Sequence, residues 1–529
     1  MESNELIQNV FAGGAFTALD WCIVIGYVSI SIFIGIFANR FIKGVADYVV
    51  AGRNLGTALS VATMTGTEMG LITVMYSAQK GFTGGFAAFH IAVIACIVTF
   101  IVGLTGFIVV PLRKTQAMTI PEYYEMRFGR RTRILGGILL AFGGILNMGL
   151  FLKIGSQFVV GVTGIDPSGG LLPLVMISLI ILILFYTILG GMVSVVIADY
   201  IQFTVLSIGL LLVVGMSLYH FGWGHMVEVV QQHKGDSGFD PTIKGSGFGP
   251  AYMSWQAVLG LVSCAIWPTA VTRALSARNT QVVKRQYMLS SISFLIRFLI
   301  PYFLGIAAFV FIMSSGGIFK EAFFPANGQE GLDNLYAMPI FLSHTLPAGI
   351  LGLVSAAMIA AFMSTHDSYL LCWSSVIVLD IVNPLRQGKG LTDRGKVFLT
   401  RFIMVLIGIY IVVWGLWYEG SDDIWEYMGI TGAIYSTGAI AVLSFGLYWK
   451  RASSTGATLA LIAGFSAIFG LSKVRDLLNY DAIEQVVGFE LTAPVMGLFT
   501  LGLSIFAMIA GSLLWPDKAP ENQTMKEAS

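Results

Sequence analysis

The sequence predicts an all-α, polytopic membrane fold of about 13 transmembrane helices, containing two five-helix units that lie in opposite orientations. Three observations predict it. Of the 529 residues, 56% are apolar and only 11% are charged, with a mean hydropathy of +0.81; a soluble domain carries about 25% charge. Thirteen stretches are apolar for roughly the 20 residues that a helix needs to cross hydrocarbon. The loops between them alternate in their content of lysine and arginine, the signature of fixed orientation.

In chain order the spans are 18–39, 54–77, 83–112, 134–162, 171–190, 192–218, 251–271, 287–315, 347–380, 398–418, 424–449, 455–472 and 493–515. With the N-terminus outside, 22 of the 30 basic residues fall in cytoplasmic loops and six fall outside, while Lys153 and Arg297 lie within spans. The pattern implies a multi-pass protein of the plasma (inner) membrane, N-terminus outside and C-terminus cytoplasmic. Residues 1–17 are then an extracellular N-terminus, 18–515 the transmembrane domain and 516–529 a cytoplasmic tail. Glu2 and Glu5 stand where a cleavable leader would be basic. The lipid bilayer is one expected partner. A net charge of +1 gives no footprint for nucleic acid. Cys22, Cys96, Cys264 and Cys372 sit in apolar runs without metal-ligand spacing and read as free thiols.

The alternation exposes an internal symmetry. Residues 54–218 and 251–449 are two units of five spans, and the first span of one runs opposite to the first span of the other. Inverted repeats of this kind place ligands at the midplane beside interrupted helices. Both first spans carry interruptions. MTGTEMG brackets Glu68 with Gly66 and Gly70, and LGLVSCAIWPTA contains Gly260 and Pro268.

The span at 347–380 holds the sharpest anomaly. Five consecutive polar residues, Ser364, Thr365, His366, Asp367 and Ser368, lie at membrane depth, where polar groups are costly and need partners. Ala356, Ala357, Ala360 and Ala361 precede them and let another helix approach closely. Two adjacent hydroxyls and the Ala361 carbonyl suit a hard cation, which prefers oxygen ligands. The competing reading is that these hydroxyls bond back to carbonyls of their own helix.

Six segments in order carry a family resemblance: DYVVAGRNL (47–55), MTIPEYYEMRFG (118–129), GGMVSVVIADYIQ (190–202), RALSARN (273–279), AAFMSTHDS (360–368) and YWKRASSTGA (448–457). The chain resembles the sodium:solute symporters, whose members include galactose, proline and sialic acid carriers. The resemblance implies a LeuT-like 5+5 inverted repeat and sodium-driven uptake of a small-molecule substrate. It places Na+, the coupling ion, on Ala361, Ser364 and Thr365, with carbonyls at Gly66 and Met69. It places Asp199 on the ion's exit path and, with Asp367 and Ser368, at a second cation; the alternative for Asp367 is a pairing with His366 or a loop arginine. Ile197 and Ala198 depart from a Trp-Thr pair common in the family.

For the substrate, the resemblance points to Thr73, Gly260 and Ser263, and puts Phe294 where sugar carriers have a lysine. These replacements argue against a galactose-like pocket. Arg297 lies about one turn after Phe294 on nearly the same face. An arginine within a span points to a functional site, and its planar fork suits a carboxylate. Arg297 and Glu68 are therefore expected to take the carboxylate and amine of an amino acid, or else to pair with each other. His90 lies near the family's polar position in the 83–112 span. Glu426, between Trp425 and Tyr427, stands at the outer entrance.

The expected function is symport of a small polar solute, an amino acid or a carboxylate, by alternating access in a monomer. A proton-coupled carrier, a passive facilitator and a transporter-like sensor are the other classes. An enzyme is not expected: no HExxH motif is present, and neighbours such as His366 and Asp367 point about 100° apart on a helix.

Overall fold

The computed structural model describes residues 2–14, 16–38, 53–165, 170–243, 247–326, 331–386, 390–418 and 424–517. Within the helices it leaves the side chains of 189–203 outside the described set, Asp199 among them. Of the tail, 518–529 lies outside the described residues, as does most of the segment 47–55.

The regular structure of the described residues is helical, with one isolated bridge between Leu55 and Ala277. The elements used below are α1 (Glu2–Ala12), α2 (Ala18–Ala38), α3 (Thr57–Glu68), α4 (Leu71–Gly84), α5 (Phe89–Thr105), α6 (Ile120–Phe128), α7 (Arg130–Asn147), α8 (Phe151–Thr163), α9 (Leu172–Phe221), α10 (Pro250–Leu261), α11 (Pro268–Ser276), α12 (Thr280–Ser315), α13 (Ile350–Val376), α14 (Asp393–Trp417), α15 (Ile424–Tyr448), α16 (Ser454–Phe465) and α17 (Ala493–Leu514). Many outward faces are apolar, including Ile97, Phe100, Phe398, Phe402, Phe499 and Phe506, as hydrocarbon contact requires.

Eight helical runs among the described residues are long and apolar enough to cross a membrane, or nine when the bent pair α10 and α11 is one span. The count of thirteen from hydropathy is not matched one for one. The 455–472 stretch appears as a shorter apolar helix over Ser454–Gly470. Separate spans were expected at 171–190 and 192–218, with Gly190 and Gly191 at their boundary, yet Leu172–Phe221 is one helix of 50 residues. A glycine costs a helix about 1 kcal/mol and does not by itself end one. Residues 1–17 are also more than a terminus: α1 buries Val10 and Phe11, and Phe11 meets Tyr336 edge-on at 5.4 Å.

Both first spans of the two units are broken. Between α3 and α4 the chain is unwound at Met69 and Gly70. In the second unit the helix passes through a π-turn over Val262–Ile266 to an extended Trp267, then restarts at Pro268 with a 40° bend. Proline disfavours a helical residue before it, so Pro268 sets this break. Gly260, expected to contribute, stays inside α10 and faces Ala95 and Val98 of α5. Arg273, expected in a cytoplasmic loop, is 2% exposed within α11.

Small residues bring the central helices close. A Cβ on Gly305 of α12 would collide with the Ala78 carbonyl of α4, and one on Gly81 with the Tyr302 backbone of α12. Backbone contact of this kind is the membrane route to tight helix association. Thr119 caps α6 by accepting from Glu122 N at 3.2 Å, while Met118 N donates to the Glu122 carboxylate. The two bonds resemble a capping box, with the carboxylate reaching the residue before the cap. Thr119 Oγ1 also donates to Asp380 at 2.9 Å, and Arg133 donates to the same carboxylate at 2.9 Å. These bonds tie the far end of the α13 segment to α6 and α7.

Its near end is held by Asp20. That carboxylate is buried and accepts from Gly349 N and Gly352 N, each at 2.7 Å, and from Thr17 N and Oγ1. An anion fits the N-terminus of α13, where amides lack helical partners. Replacing a helix-capping side chain by alanine costs about 0.5–2 kcal/mol. Asp20→Ala is expected to reach or exceed the upper end of that range, because it also strands buried amides. Thermal melts in detergent check this, with Asp20→Asn losing less.

Candidate functional site

The site begins where the sequence places Gly66, Glu68 and Gly70. Ending α3 at Glu68 frees the carbonyls of its last turn from helical partners, and Gly66 belongs to that turn. Thr73 Oγ1 donates to the Glu68 carbonyl at 3.0 Å and steadies the gap. Met69 is 3% exposed, with its backbone outside the helical region.

Helix α13 lies directly against this gap. A Cβ built on Gly70 would collide with Thr365 Oγ1 and would stand 3.5 Å from the Ala361 carbonyl. Thr365 and Ala361 of α13 therefore lie directly against the break at Gly70. Thr365 Oγ1 now donates to Ala361 O at 3.0 Å, the back-bonded form the sequence left open. The same two oxygens face the break. Ser364 is fully buried on the same helix. His366 packs on Phe362 and Phe151 with Nδ1 2.9 Å from the Phe362 carbonyl, a packing position.

Below Thr365, one helical turn on, Ser368 Oγ accepts from Arg273 Nη2 at 3.0 Å and donates to Asp367 Oδ1 at 3.3 Å. Ser368 thus links Asp367 to an arginine of α11. The expected approach of Asp199 lies outside the described side chains.

On the other side of Thr365 lies a cavity. Glu68, Thr73, Ser263, Arg297 and Thr365 all line it, with Asn147, Tyr76, Phe151, Trp267, Tyr369 and Trp425. Arg297 Nη1 donates to Glu68 Oε2 at 2.7 Å, and Thr269 Oγ1 donates to Glu68 Oε1 at 3.1 Å. The Arg297 guanidinium lies 4.3 Å from the Phe294 ring centroid and 4.4 Å from that of Phe298. The phenyl ring at 294 gives this arginine a stacking face. Both readings of the pair hold together: the two groups are an internal ion pair, and they line the cavity.

Three of the expected substrate residues are placed elsewhere. His90 faces Phe248 and Tyr252, with Nδ1 2.6 Å from Ala87 O. Gly260 faces α5. Glu426 pairs with Lys80 at 3.6 Å, outside the cavity lining. For Glu426 the physical reason is a single step along α15. Trp425 turns inward onto Tyr76 at 4.8 Å and Phe298 at 5.7 Å, with Nε1 donating to Gln256. Its neighbour Glu426 points about 100° away.

Asn147 is one of the cavity residues that the sequence reading missed, with Tyr76, Phe151, Trp267 and Tyr369. The Asn147 Nδ2 donates to Met428 O at 2.8 Å and Thr431 Oγ1 at 3.0 Å, which leaves Oδ1 buried without a partner. The available signal was an uncapped amide inside the apolar run 134–162. Trp267 and Tyr369 close the cavity on the side of the second break, with Trp267 Nε1 donating to Tyr369 OH at 2.9 Å.

Gly70→Ala is expected to push Thr365 off the break and cut sodium-dependent uptake at least tenfold. Gly56→Ala, where an added Cβ meets nothing, is the matched control that keeps activity. Uptake assays on both variants check this.

Comparison with known proteins agrees with this architecture. The family model "Sodium:solute symporter family" matches residues 48–464. The chain is 24% identical to a high-affinity proline transporter of Bacillus subtilis, over 89% of this chain and 95% of that one. It is 24% identical to a sodium/glucose cotransporter of Vibrio parahaemolyticus, over 93% and 92%. It is 22% identical to a sodium/sialic acid symporter of Proteus mirabilis, over 91% and 96%. The structure of a substrate-bound, outward-open Na+-coupled sialic acid symporter superposes with a TM-score of 0.77 at 19% identity, covering 95% of this chain and all of that one. That of MhsT with L-phenylalanine gives 0.50 at 14% identity, covering 87% and 98%. The fold is LeuT-like, and the chain, a multi-pass membrane protein and not an enzyme, belongs to the sodium:solute symporter family.

Proposed function

We propose that this protein carries an amino acid, or a closely related small carboxylate, together with sodium. The observation that supports the reading is the Glu68–Arg297 ion pair, 2.7 Å long, in a cavity that also reaches Thr365. Opposite charges about this close are what a zwitterion needs. On binding, the substrate carboxylate takes the guanidinium fork and its ammonium takes Glu68 and the unpartnered Asn147 Oδ1. One internal pair is exchanged for two external ones, so neither buried charge is left unmatched. Tyr76, Phe151, Trp267 and Trp425 supply apolar walls for the side chain.

Sodium binds, in this reading, between the carbonyls of Gly66 and Met69 and the Ala361, Ser364 and Thr365 oxygens. Glu68 lies within the same turn as those carbonyls, so fixing the break fixes the pocket. Coupling follows because ion and solute favour the same conformation. Each inward charge gains about 2.3 kcal/mol per 100 mV of membrane potential. Trp425 is the lid, and the Lys80–Glu426 pair is its outer latch, in place of a direct substrate role for Glu426. Asp199, Asp367 and Ser368 form the route and the second charge site below the ion.

The charge pattern supports a plasma-membrane protein with its N-terminus outside and its C-terminus in the cytoplasm. It supports a transmembrane domain over 18–515, with inverted repeats at 54–218 and 251–449, and a tail at 516–529. A cavity built within one chain supports a monomeric unit.

Proteoliposomes with an inward sodium gradient test the reading against a panel of amino acids, carboxylates, sugars and choline-like cations. Amino acids or carboxylates are expected to accumulate with sodium and not with potassium. A preference for sugars or quaternary amines would make Glu68 and Arg297 purely structural. Two variants refine the test. Thr365→Ala is expected to raise the half-saturating sodium concentration at least tenfold. Asp199→Ala is expected to slow uptake, and an unchanged rate and sodium dependence would remove it from the exit route.

A further inference from the structure

Five aromatic rings line the substrate cavity: Tyr76, Phe151, Trp267, Tyr369 and Trp425. They come from both broken spans and from three further helices, α8, α13 and α15. Trp425 lies 4.8 Å from Tyr76, and Phe151 lies 5.1 Å from Tyr369. Both indole N–H groups are spent on neighbours. Trp425 Nε1 donates to Gln256 at 3.2 Å and Trp267 Nε1 to the Tyr369 hydroxyl at 2.9 Å. An indole has no other hydrogen-bonding atom, so the two tryptophans offer the cavity ring surface only.

The aliphatic hydroxyls of the lining are spent too. Thr73 Oγ1 donates to Glu68 O at 3.0 Å, Ser263 Oγ to Gly260 O at 3.2 Å and Thr365 Oγ1 to Ala361 O at 3.0 Å. What remains polar among the lining side chains is the Glu68–Arg297 pair, Asn147 Oδ1 and the two tyrosine hydroxyls. That set matches one carboxylate and one ammonium and leaves little for a third polar group. A polar ligand side chain would lose its water here without enough partners to replace it, which is costly. A sugar or a glutamine fits poorly for that reason.

Size and shape narrow the side chain further. The cavity holds about 690 Å3 of empty space, its opening included, within the roughly 300–1,000 Å3 of small-molecule sites. The methyl group of alanine or the short ring of proline leaves most of the aromatic wall uncovered. A large flat ring covers it and gains the offset and edge-on contacts that aromatic pairs favour.

We propose that the solute is an α-amino acid with a large aromatic side chain, its head group on Glu68, Arg297 and Asn147 and its ring against Trp425, Tyr76, Phe151 and Tyr369. This rests on the amino-acid reading of the same site and adds the side chain to it. The rings belong to separate helices, so they form one wall only while those helices are together. An aromatic solute thereby favours the assembled arrangement more than a small one does.

Sodium-driven uptake of radiolabelled L-phenylalanine, L-tryptophan, L-leucine, L-proline, L-alanine and L-glutamine into proteoliposomes of the full-length protein tests this. The two aromatic amino acids are expected to give kcat/KM values about tenfold above those of proline, alanine and glutamine, with leucine between. Proline, alanine or glutamine at or above the level of phenylalanine would overturn the proposal and leave the amino-acid reading intact. If no amino acid accumulates, that reading fails and the proposal falls with it. Phe151→Leu gives a second readout: the ratio of kcat/KM for phenylalanine to that for leucine is expected to fall about fivefold. An unchanged ratio in the folded variant would contradict the proposal. The wild-type ranking stands even if the variant fails to fold.

Discussion

The interaction on which the rest depends is the contact of an unwound turn with a helix. Met69 and Gly70 leave the helical path, and Thr365 fills the space where a Cβ on Gly70 would stand, with the Ala361 carbonyl in contact beside it. Everything nearby is arranged around that contact. Thr73 steadies the gap, Glu68 leans from its rim to Arg297, and Asp20 and Asp380 pin the two ends of the helix that faces it. In hydrocarbon an unwound turn is tolerated only where protein or a cavity satisfies it.

The two broken spans divide the work. The break at Met69–Gly70 faces α13 and the cavity. The break at Trp267, set by Pro268, forms the opposite wall through the Trp267–Tyr369 hydrogen bond. Glu68 connects them, because its second oxygen accepts from Thr269 just beyond Pro268. Movement of α11 is therefore felt by the ion pair. Removing one partner of a buried pair costs about 3–5 kcal/mol, so a substrate that replaces both partners is the low-energy way to open it.

Much of this was legible in the sequence. Composition and the alternation of basic residues required a polytopic helical chain with inverted halves. Gly66, Glu68 and Gly70 marked the first break, Pro268 marked the second, and the five polar residues at 364–368 marked the facing helix. What escaped has physical causes. Asn147 lacked a motif, since a lone amide in an apolar run declares itself only when its partners are known. Arg273 read as a loop residue because charge normally ends a span, whereas here Ser368 and the Thr269 carbonyl draw it inside. Glu426 and Trp425 are adjacent, and only the rotation of α15 decides which one faces the cavity. The 190–192 boundary fell on a glycine pair that remains helical.

The central claim is that sodium joins the end of α3 and the break at Met69–Gly70 to the helix at 361–365. Hydrogen–deuterium exchange in sodium against an equal concentration of potassium tests it most directly. Sodium is predicted to slow exchange in peptides covering 65–71 and 361–368 together, and to leave α16 and α17 unchanged. Equal exchange in the two salts at both segments, or protection of one without the other, would contradict the account.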